Sequence, residues 1–376
     1  MPVRLPTLTG LRAVAALMVF FVHVRGLQPA RVQPEWSAVF GVGGAGVSFF
    51  FVLSGFVLAW TWGPVPPRIR DFYRRRAARV LPNHLVTWIL GALLTLLAIV
   101  ALGGGRPRAS ILAFLLGIPL LQAWVPVDLP GINGPAWTLS CEAFFYALLP
   151  FLVVPLRRTT ERARWLVAGA MVAALVAVPL LVQVLGPQDE SLRVWVVDVL
   201  PVARLPEFVL GCVLGLQVAA GTRVRCPLPA SLVLAAAALV LVDLTGQSSY
   251  KQAITAVPFA LVIVAGAQRD LRGGRSWLAR PWPVRLGEWS FAFYLVHELV
   301  IRSLMLAVGP VPTPAAGLAL AALALALSTV VAWQLHVRVE VPAERRWRGT
   351  RAPRAELASP LLDPDGERSD NSSGPR

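Results

Sequence analysis

Apolar residues in this chain come in long blocks, separated by short polar gaps that are rich in arginine. A helix needs about 20 predominantly apolar residues to cross a bilayer, because the hydrocarbon core is about 30 Å thick and each residue adds about 1.5 Å. The blocks long enough for this cover residues 8–25, 40–62, 83–102, 138–156, 164–185, 204–220, 229–244, 252–267, 286–308 and 314–337. The pattern therefore predicts an all-α fold, a polytopic transmembrane bundle of about ten spans.

One further apolar piece, Ile111 to Val127, lies at the short limit for a span and contains Pro119 and Pro126. If the amino terminus is cytoplasmic and this piece does not cross, the arginine-rich gaps all lie in the cytoplasm, where positively charged loops are retained. If the piece crosses, every later loop inverts. We therefore predict a re-entrant or interfacial segment here, a location in the cell membrane, and cytoplasmic amino and carboxyl termini.

The composition supports a membrane protein: 56% of the residues are hydrophobic, 15% are charged, and the mean hydropathy is +0.65. The net charge of +15 does not indicate nucleic acid, because the basic residues, all arginine except Lys251, lie mainly in the gaps between apolar blocks. We predict the lipid bilayer as a partner and no nucleic acid. The last residues lack apolar periodicity, so we predict a membrane domain over residues 1–345 and a disordered cytoplasmic tail over 346–376.

Between Thr7 and Val24 the first apolar block contains two ionisable residues, Arg12 and His23. They are eleven positions apart, almost three helical turns, so both lie on one face of a helix and are separated by about 16 Å along its axis. Ionisable side chains inside a membrane usually face a cavity or a ligand path. The pattern favours a functional site, and the alternative is that Arg12 extends to the membrane interface while His23 ends the helix.

Arginines are concentrated just before the third block, where Arg75, Arg76 and Arg79 occur at i, i+1 and i+4. Guanidinium groups make paired hydrogen bonds with phosphate oxygens, so this cluster suits a phosphorylated ligand. Anionic lipid headgroups would satisfy the same cluster. The three cysteines fit neither a disulfide framework nor a metal site, and we predict no metal.

The fourth block opens with a carboxylate, Glu142, for which Thr138 or Ser140 is a plausible helix N-cap. A carboxylate in the first turn suits the helix dipole, which is the structural alternative to a functional role. Glu142 and Tyr146 lie on one face of an otherwise apolar span that enters from the outer side. This places Glu142 near the predicted depth of His23, where a carboxylate would orient the imidazole.

Two other apolar blocks also carry polar residues. Arg204 and Glu207 lie at i, i+3 near the end of a span, which predicts a structural ion pair. Ser290, Tyr294 and His297 form a polar stripe along another span, and such a stripe lines a cavity rather than facing lipid. A transporter or a lipid-binding membrane protein also remains open, with a polar path lined by Arg12, His23, Glu142 and His297, although no inverted repeat supports that class.

Seven short stretches follow one another along the chain: LPTLTGLRAVAALMVFFVH, GVSFFFVLSGFVL, FYRRRAARVLPNH, WTLSCEAFFY, RLPEFVLG, SFAFYLVH and VEVP. In this order, from Leu5 to Arg345, they resemble the motifs of the acyltransferase-3 family of integral membrane O-acyltransferases. The LPTLTGLR and LPNH stretches are most similar to the actinobacterial branch that includes macrolide acyltransferases. The resemblance implies a ten-span core that transfers an acyl group from acyl-CoA, a co-substrate and not a bound cofactor, to a hydroxyl, usually of a sugar.

The motifs of this family also assign roles to individual residues. The family's arginine and histidine, separated by ten residues, fall on Arg12 and His23. Its basic motif falls on Arg75, Arg76 and Arg79. Its Trp-Ser-Leu-x-x-Glu motif falls on residues 137–142, with Thr138 where serine is frequent. We therefore expect His23 to act as general base, Glu142 to orient it and Arg12 to position the donor. The residues expected to line the pocket are Ser54, Trp137, Ser140, Tyr146, Tyr294 and His297.

Overall fold

The computed structural model describes residues 4–63, 65–102, 107–126, 131–246 and 248–348. These residues form helices and contain no strand. The helices are α1 Pro6–His23, α2 Gln33–Phe40, α3 Gly46–Trp60, α4 Ile69–Leu102, α5 Pro107–Gly117, α6 Trp137–Arg158, α7 Glu161–Leu185, α8 Glu190–Val194, α9 Pro201–Ala219, α10 Leu228–Thr245, α11 Lys251–Leu271, α12 Pro281–Val308, α13 Pro314–Leu335 and α14 Val341–Arg348.

Within these described ranges, ten helical segments are long and apolar enough to cross a membrane. The prediction of a polytopic bundle of about ten spans is therefore confirmed. The apolar piece at 111–127 is not among them, because α5 has 11 residues and ends at Gly117. At about 1.5 Å per residue, α5 covers roughly half of the hydrocarbon core. The predicted tail lies mostly outside the described residues.

Hydrogen bonds between the ends of helices define the two faces of the bundle. On one face, the side chain of Thr7 bonds to Asp270, and Thr222 donates to Glu161 at 3.2 Å. On the other, Lys251 pairs with Asp198 at 3.1 Å. We call the first the basic face, because the arginine-rich gaps at 68–79, 157–164, 223–225 and 269–280 belong to it, and the second the opposite face. That the basic face is the cytoplasmic one remains a prediction.

Helices α3 and α9 meet along a seam of glycines. A Cβ atom at Gly55 would overlap the backbone carbonyl of Phe208, and one at Gly211 would overlap the carbonyl of Val52. The two backbones are therefore in direct contact, which only glycine permits. We call this contact the glycine seam.

The predicted ion pair between Arg204 and Glu207 is present and buried. Nε of Arg204 donates to Oε2 of Glu207 at 2.8 Å, and its two terminal nitrogens donate to the carbonyl of Asp198 at 2.9 Å and to Oγ of Ser48 at 3.1 Å. The guanidinium also lies 5.8 Å from the ring centroid of Trp137. This network fixes the start of α9 against α3 and α6.

Candidate active site

A cavity of about 180 Å³ lies between α1, α3, α4, α6 and α12, toward the basic face. Its polar wall consists of Arg12, Arg76, Arg79, Glu142 and Tyr146, and the remaining wall is mostly apolar. We call it the charged cavity. Three guanidinium groups against one lining carboxylate give this cavity a positive wall, which suits an anionic ligand.

Local contacts hold these charged groups in place. Tyr146 donates its hydroxyl to Oε2 of Glu142 at 3.0 Å, across one helical turn. The guanidinium of Arg76 lies 6.0 Å from the centroid of the Tyr146 ring, and its Nε is buried without a hydrogen-bond partner. Arg79 lies within electrostatic range of Glu340, which accepts a hydrogen bond from Asn83 at 3.0 Å. The guanidinium of Arg76 thus keeps an unused donor at the cavity.

The structure separates the predicted donor-binding arginines into two groups. Arg76 and Arg79 line the charged cavity, whereas Arg75 does not. Arg76 and Arg79 are three positions apart and share one face of α4, whereas Arg75 is rotated by about 100° from Arg76. Arg12 also lines this cavity, so its side chain points into the bundle.

A second polar group, the histidine cluster, consists of His23, His297 and Glu298. Nδ1 of His23 lies 3.3 Å from Nε2 of His297, and Nε2 of His23 lies 3.7 Å from Oε2 of Glu298. His297 is fully buried, whereas the side chain of His23 is 32% exposed. Helices α1 and α12 bring these residues together.

The contacts of the two imidazoles assign their tautomers. Nδ1 of His297 lies 3.2 Å from the carbonyl oxygen of Phe293, so this nitrogen carries the hydrogen and Nε2 is an acceptor. Nδ1 of His23 faces that acceptor and also the carbonyl oxygen of Val19 at 2.9 Å, so it carries a hydrogen as well. The lone pair of neutral His23 is therefore on Nε2, beside the Glu298 carboxylate.

The predicted pairing of Glu142 with His23 is wrong. Glu142 lies in the charged cavity and bonds to Tyr146, and the carboxylate beside His23 is that of Glu298. The cause is the depth at which α6 begins: Asn133, just before it, donates to the carbonyl of Leu295 at 2.9 Å. From there the chain runs toward the basic face. Glu142, nine residues later, therefore lies well away from the histidine cluster on the side of that face.

The beginning of α6 also differs from the prediction in its caps. The helix begins at Trp137, no side chain caps it, and the hydroxyl of Thr138 donates to the carbonyl of Pro135 at 2.9 Å. Ser140 is buried and donates to the carbonyl of Leu120, so neither serves as N-cap and Ser140 does not line the charged cavity. This occupied hydroxyl is poorly placed to act as a nucleophile.

The other predicted lining residues fall into three groups. Ser54, Tyr146 and Tyr294 line the charged cavity. Trp137 lines a different cavity near the opposite face. His297 lines neither and packs against His23.

Two aromatic rings separate the charged cavity from the histidine cluster. Phe50 and Tyr294 both line the cavity, and their ring centroids are 6.0 Å apart. The ring of Tyr294 is in turn 5.9 Å from that of His297. A ligand extended from the arginines toward His23 therefore passes these two rings.

Comparison with known proteins bears on the class of this site. A family model described as an acyltransferase domain, that of the acyltransferase-3 family, matches residues 5–333. The chain belongs to this family. It is also similar to "Acyltransferase MdmB" of Streptomyces mycarofaciens, with 38% identity over 312 residues that cover 80% of each chain. No solved structure matches the chain.

This membership, together with the ten spans, establishes a multi-pass membrane acyltransferase. It favours the enzyme over the alternative prediction of a transporter or a lipid-binding protein. The residue that sequence reasoning did not place in the site is Glu298. Its signal was a carboxylate inside an apolar span, next to His297.

Proposed function

We propose that the chain transfers a short acyl group, such as acetyl, from acyl-CoA to a hydroxyl of a sugar, a glycan or a glycosylated small molecule such as a macrolide. The observation that supports this most is the arrangement of two sites along α1: a cavity with three arginines, and an imidazole with a free Nε2 beyond it. The similarity to a protein named as an acyltransferase agrees with the proposal.

In this proposal the charged cavity receives the donor. Arg76 and Arg79 bind phosphate groups of acyl-CoA, and Arg12 positions the arm that carries the thioester. Arg12 and His23 are about 16 Å apart along α1, a distance that an extended pantetheine arm can cover. The thioester reaches His23 between Phe50 and Tyr294.

In the proposed reaction His23 is the general base. The acceptor hydroxyl gives its proton to Nε2 of His23 while its oxygen attacks the thioester carbonyl carbon. The carbon–sulfur bond then breaks, the acyl ester remains on the acceptor, and the CoA sulfur leaves with the proton held on Nε2. Glu298, 3.7 Å from Nε2, stabilises the positive charge that the imidazole carries between these steps.

Glu142 has a different role from the one expected from the sequence. Because it bonds to Tyr146 and lies among the arginines, we propose that it holds the donor side of the cavity in shape. No covalent acyl-enzyme is part of this mechanism, since direct transfer needs one base and one positioned thioester.

The proposal is tested by thiol release. Membranes containing the wild-type chain are incubated with acetyl-CoA or propionyl-CoA, with and without extracts of glycans and glycosylated small molecules. We expect acceptor-dependent CoA release and a product heavier by one acyl group in mass spectrometry. Membranes with His23→Ala serve as the matched control. Equal CoA release from both, or no acylated product, would refute the function.

The orientation of the chain is tested with reporter fusions. Because positively charged loops are retained in the cytoplasm, we expect a reporter after Arg76 or at the carboxyl terminus to report cytoplasm, and one within residues 187–190 to report the outside. A cytoplasmic signal from 187–190 would mean that the apolar piece at 111–127 crosses the membrane, and the ten-span topology would then be wrong.

A further inference from the structure

A larger cavity, about 340 Å³, lies near the opposite face. Its aromatic walls are Trp88, Trp137 and Trp195, which come from α4, from the start of α6, and from the residue after α8. We call it the tryptophan cavity. It is formed where the chain around α5 folds back into the bundle.

Two of these rings are fixed by hydrogen bonds. Nε1 of Trp88 donates to the carbonyl of Phe114 at 3.1 Å, and Nε1 of Trp195 donates to the carbonyl of Ala123 at 3.1 Å. The indole nitrogens are thus satisfied within the protein, and the ring faces remain for a ligand. Flat, pre-oriented aromatic faces pack well against the carbon-bound hydrogens of a sugar ring or a macrocycle.

Two residues that line this cavity, Gln122 and Asn133, have side-chain acceptors without partners. The amide of Gln122 donates to the carbonyl of Ala136 at 2.7 Å, and that of Asn133 donates to the carbonyl of Leu295. Their oxygens, Oε1 and Oδ1, are buried and have no hydrogen-bond partner. A buried unpaired acceptor costs about 1–3 kcal/mol, so a ligand hydroxyl that donates to either oxygen is favoured.

The tryptophan cavity also differs from the charged cavity in its charge. None of the described residues that line it is ionisable. Asp189 is nearby in sequence, but hydrogen bonds from Ser191 and Leu192 hold its carboxylate at the start of α8 and lower its pKa. A phosphate or carboxylate ligand would find no counter-charge among these lining residues, so the cavity suits a neutral molecule.

Only a thin strip of backbone separates the tryptophan cavity from the histidine cluster. Gly134 lines the cavity, and a Cβ atom there would meet the carboxylate of Glu298. Arg302 holds the strip in place by donating to the carbonyls of Gly131 at 2.8 Å and Ile132 at 3.0 Å. A ligand in the tryptophan cavity therefore lies next to the carboxylate that faces His23.

We propose that the tryptophan cavity is the acceptor site, and that it binds a neutral, partly apolar glycoside that enters from the opposite face and lies against the backbone strip beside Glu298 and His23. The identification of this ligand as the acceptor rests on the proposed function, whereas the binding of a neutral glycoside can be measured independently of it. Donor and acceptor then approach the histidine cluster from opposite faces of the bundle.

The binding test uses a matched pair of probes that differ in charge. The wild-type chain in nanodiscs is titrated with phenyl β-D-glucoside and with phenyl β-D-glucuronide, and binding is followed by saturation-transfer NMR. We expect the neutral glucoside to bind and the anionic glucuronide to bind at least about tenfold more weakly. Absence of glucoside binding, or equal binding of the two probes, overturns the proposal.

Variants then locate the bound probe. Leu192→Trp and Val199→Phe each enlarge a side chain that lines the tryptophan cavity, and we expect each to raise the Kd for the glucoside about tenfold or more. Leu185→Trp is the matched control, because Leu185 is 78% exposed and lies outside the cavity. A melting curve for each variant verifies folding. Wild-type binding in both folded cavity variants places the probe elsewhere and overturns the proposal.

Failure of the proposed function has a different outcome. If the wild-type chain binds the glucoside in this cavity but releases no CoA from any acyl-CoA with any acceptor, the acyl-transfer function fails and the neutral glycoside site stands. If CoA release depends on acceptor but neither cavity variant changes the Michaelis constant for that acceptor, the function stands and this site fails.

Discussion

A methyl group at Gly134 provides a sensitive test of Glu298. In Gly134→Ala the added Cβ would lie 2.7 Å from Oε1 and 2.8 Å from Cδ of the Glu298 carboxylate. Contact distances between unbonded heavy atoms are about 3.5–4.0 Å, so the carboxylate must retreat by about 1 Å. It would then leave its position 3.7 Å from Nε2 of His23.

The size of the effect follows from this displacement. Misplacing a group at the reacting centre by 1 Å can cost about 100-fold, and Glu298 acts through His23 rather than on substrate, so we expect kcat to fall by about 10- to 100-fold. The Michaelis constant for acyl-CoA should stay unchanged, because the arginines of the charged cavity do not contact this strip. Steady-state CoA release in nanodiscs, at saturating acceptor, measures both values.

Two comparisons decide whether the methyl group acts through Glu298. Gly131→Ala adds the same methyl in the same strip, where its nearest atoms belong to Gly134 at 3.4 and 3.5 Å, and should retain kcat. Glu298→Gln removes the charge, so adding Gly134→Ala to it should lower kcat little further. A normal kcat in folded Gly134→Ala protein, or fully additive losses in the double variant, would refute the positioning role of Glu298.

Three other changes have expected outcomes. His23→Ala should lower kcat by about 10²- to 10⁴-fold with little effect on the acyl-CoA Michaelis constant, and near-normal turnover would remove His23 as base. Arg76→Ala combined with Arg79→Ala should raise that Michaelis constant, whereas Arg75→Ala, outside the charged cavity, should not. Equal effects would indicate that the three arginines bind lipid headgroups rather than acyl-CoA. Glu207→Ala leaves a buried guanidinium without its carboxylate and should lower stability by about 3–5 kcal/mol, visible as a lower melting temperature, and an unchanged melting temperature would contradict this.

The spans could be predicted from the sequence because the apolar blocks match the thickness of a bilayer, and the same is true of the ion pair at Arg204, whose partner lies one turn away. The depth of Glu142 could not be predicted. It depends on Asn133 bonding to α12 and on the preceding segment folding into the bundle, and both are long-range contacts. Helical periodicity gives the face on which a residue lies but not the level at which its helix begins.

The histidine cluster shows a second limit of the same kind. Periodicity places His297 on the stripe of Ser290 and Tyr294, and Glu298 about 100° further round the helix. The crossing of α1 and α12 decides whether His297 or Glu298 contacts His23. In this structure both residues do. The sequence predicts that Glu298 lies in a span, but it does not predict that Glu298 contacts His23.

The glycine seam between α3 and α9 determines which parts of the bundle can move. Two helices whose backbones touch cannot slide or separate without losing that contact, so α3 and α9 form one stiff unit. Ser54, next to Gly55, gives the charged cavity a wall of fixed shape. The α3 wall therefore does not adjust to the donor, and the acyl-CoA arm must fit against it as it stands.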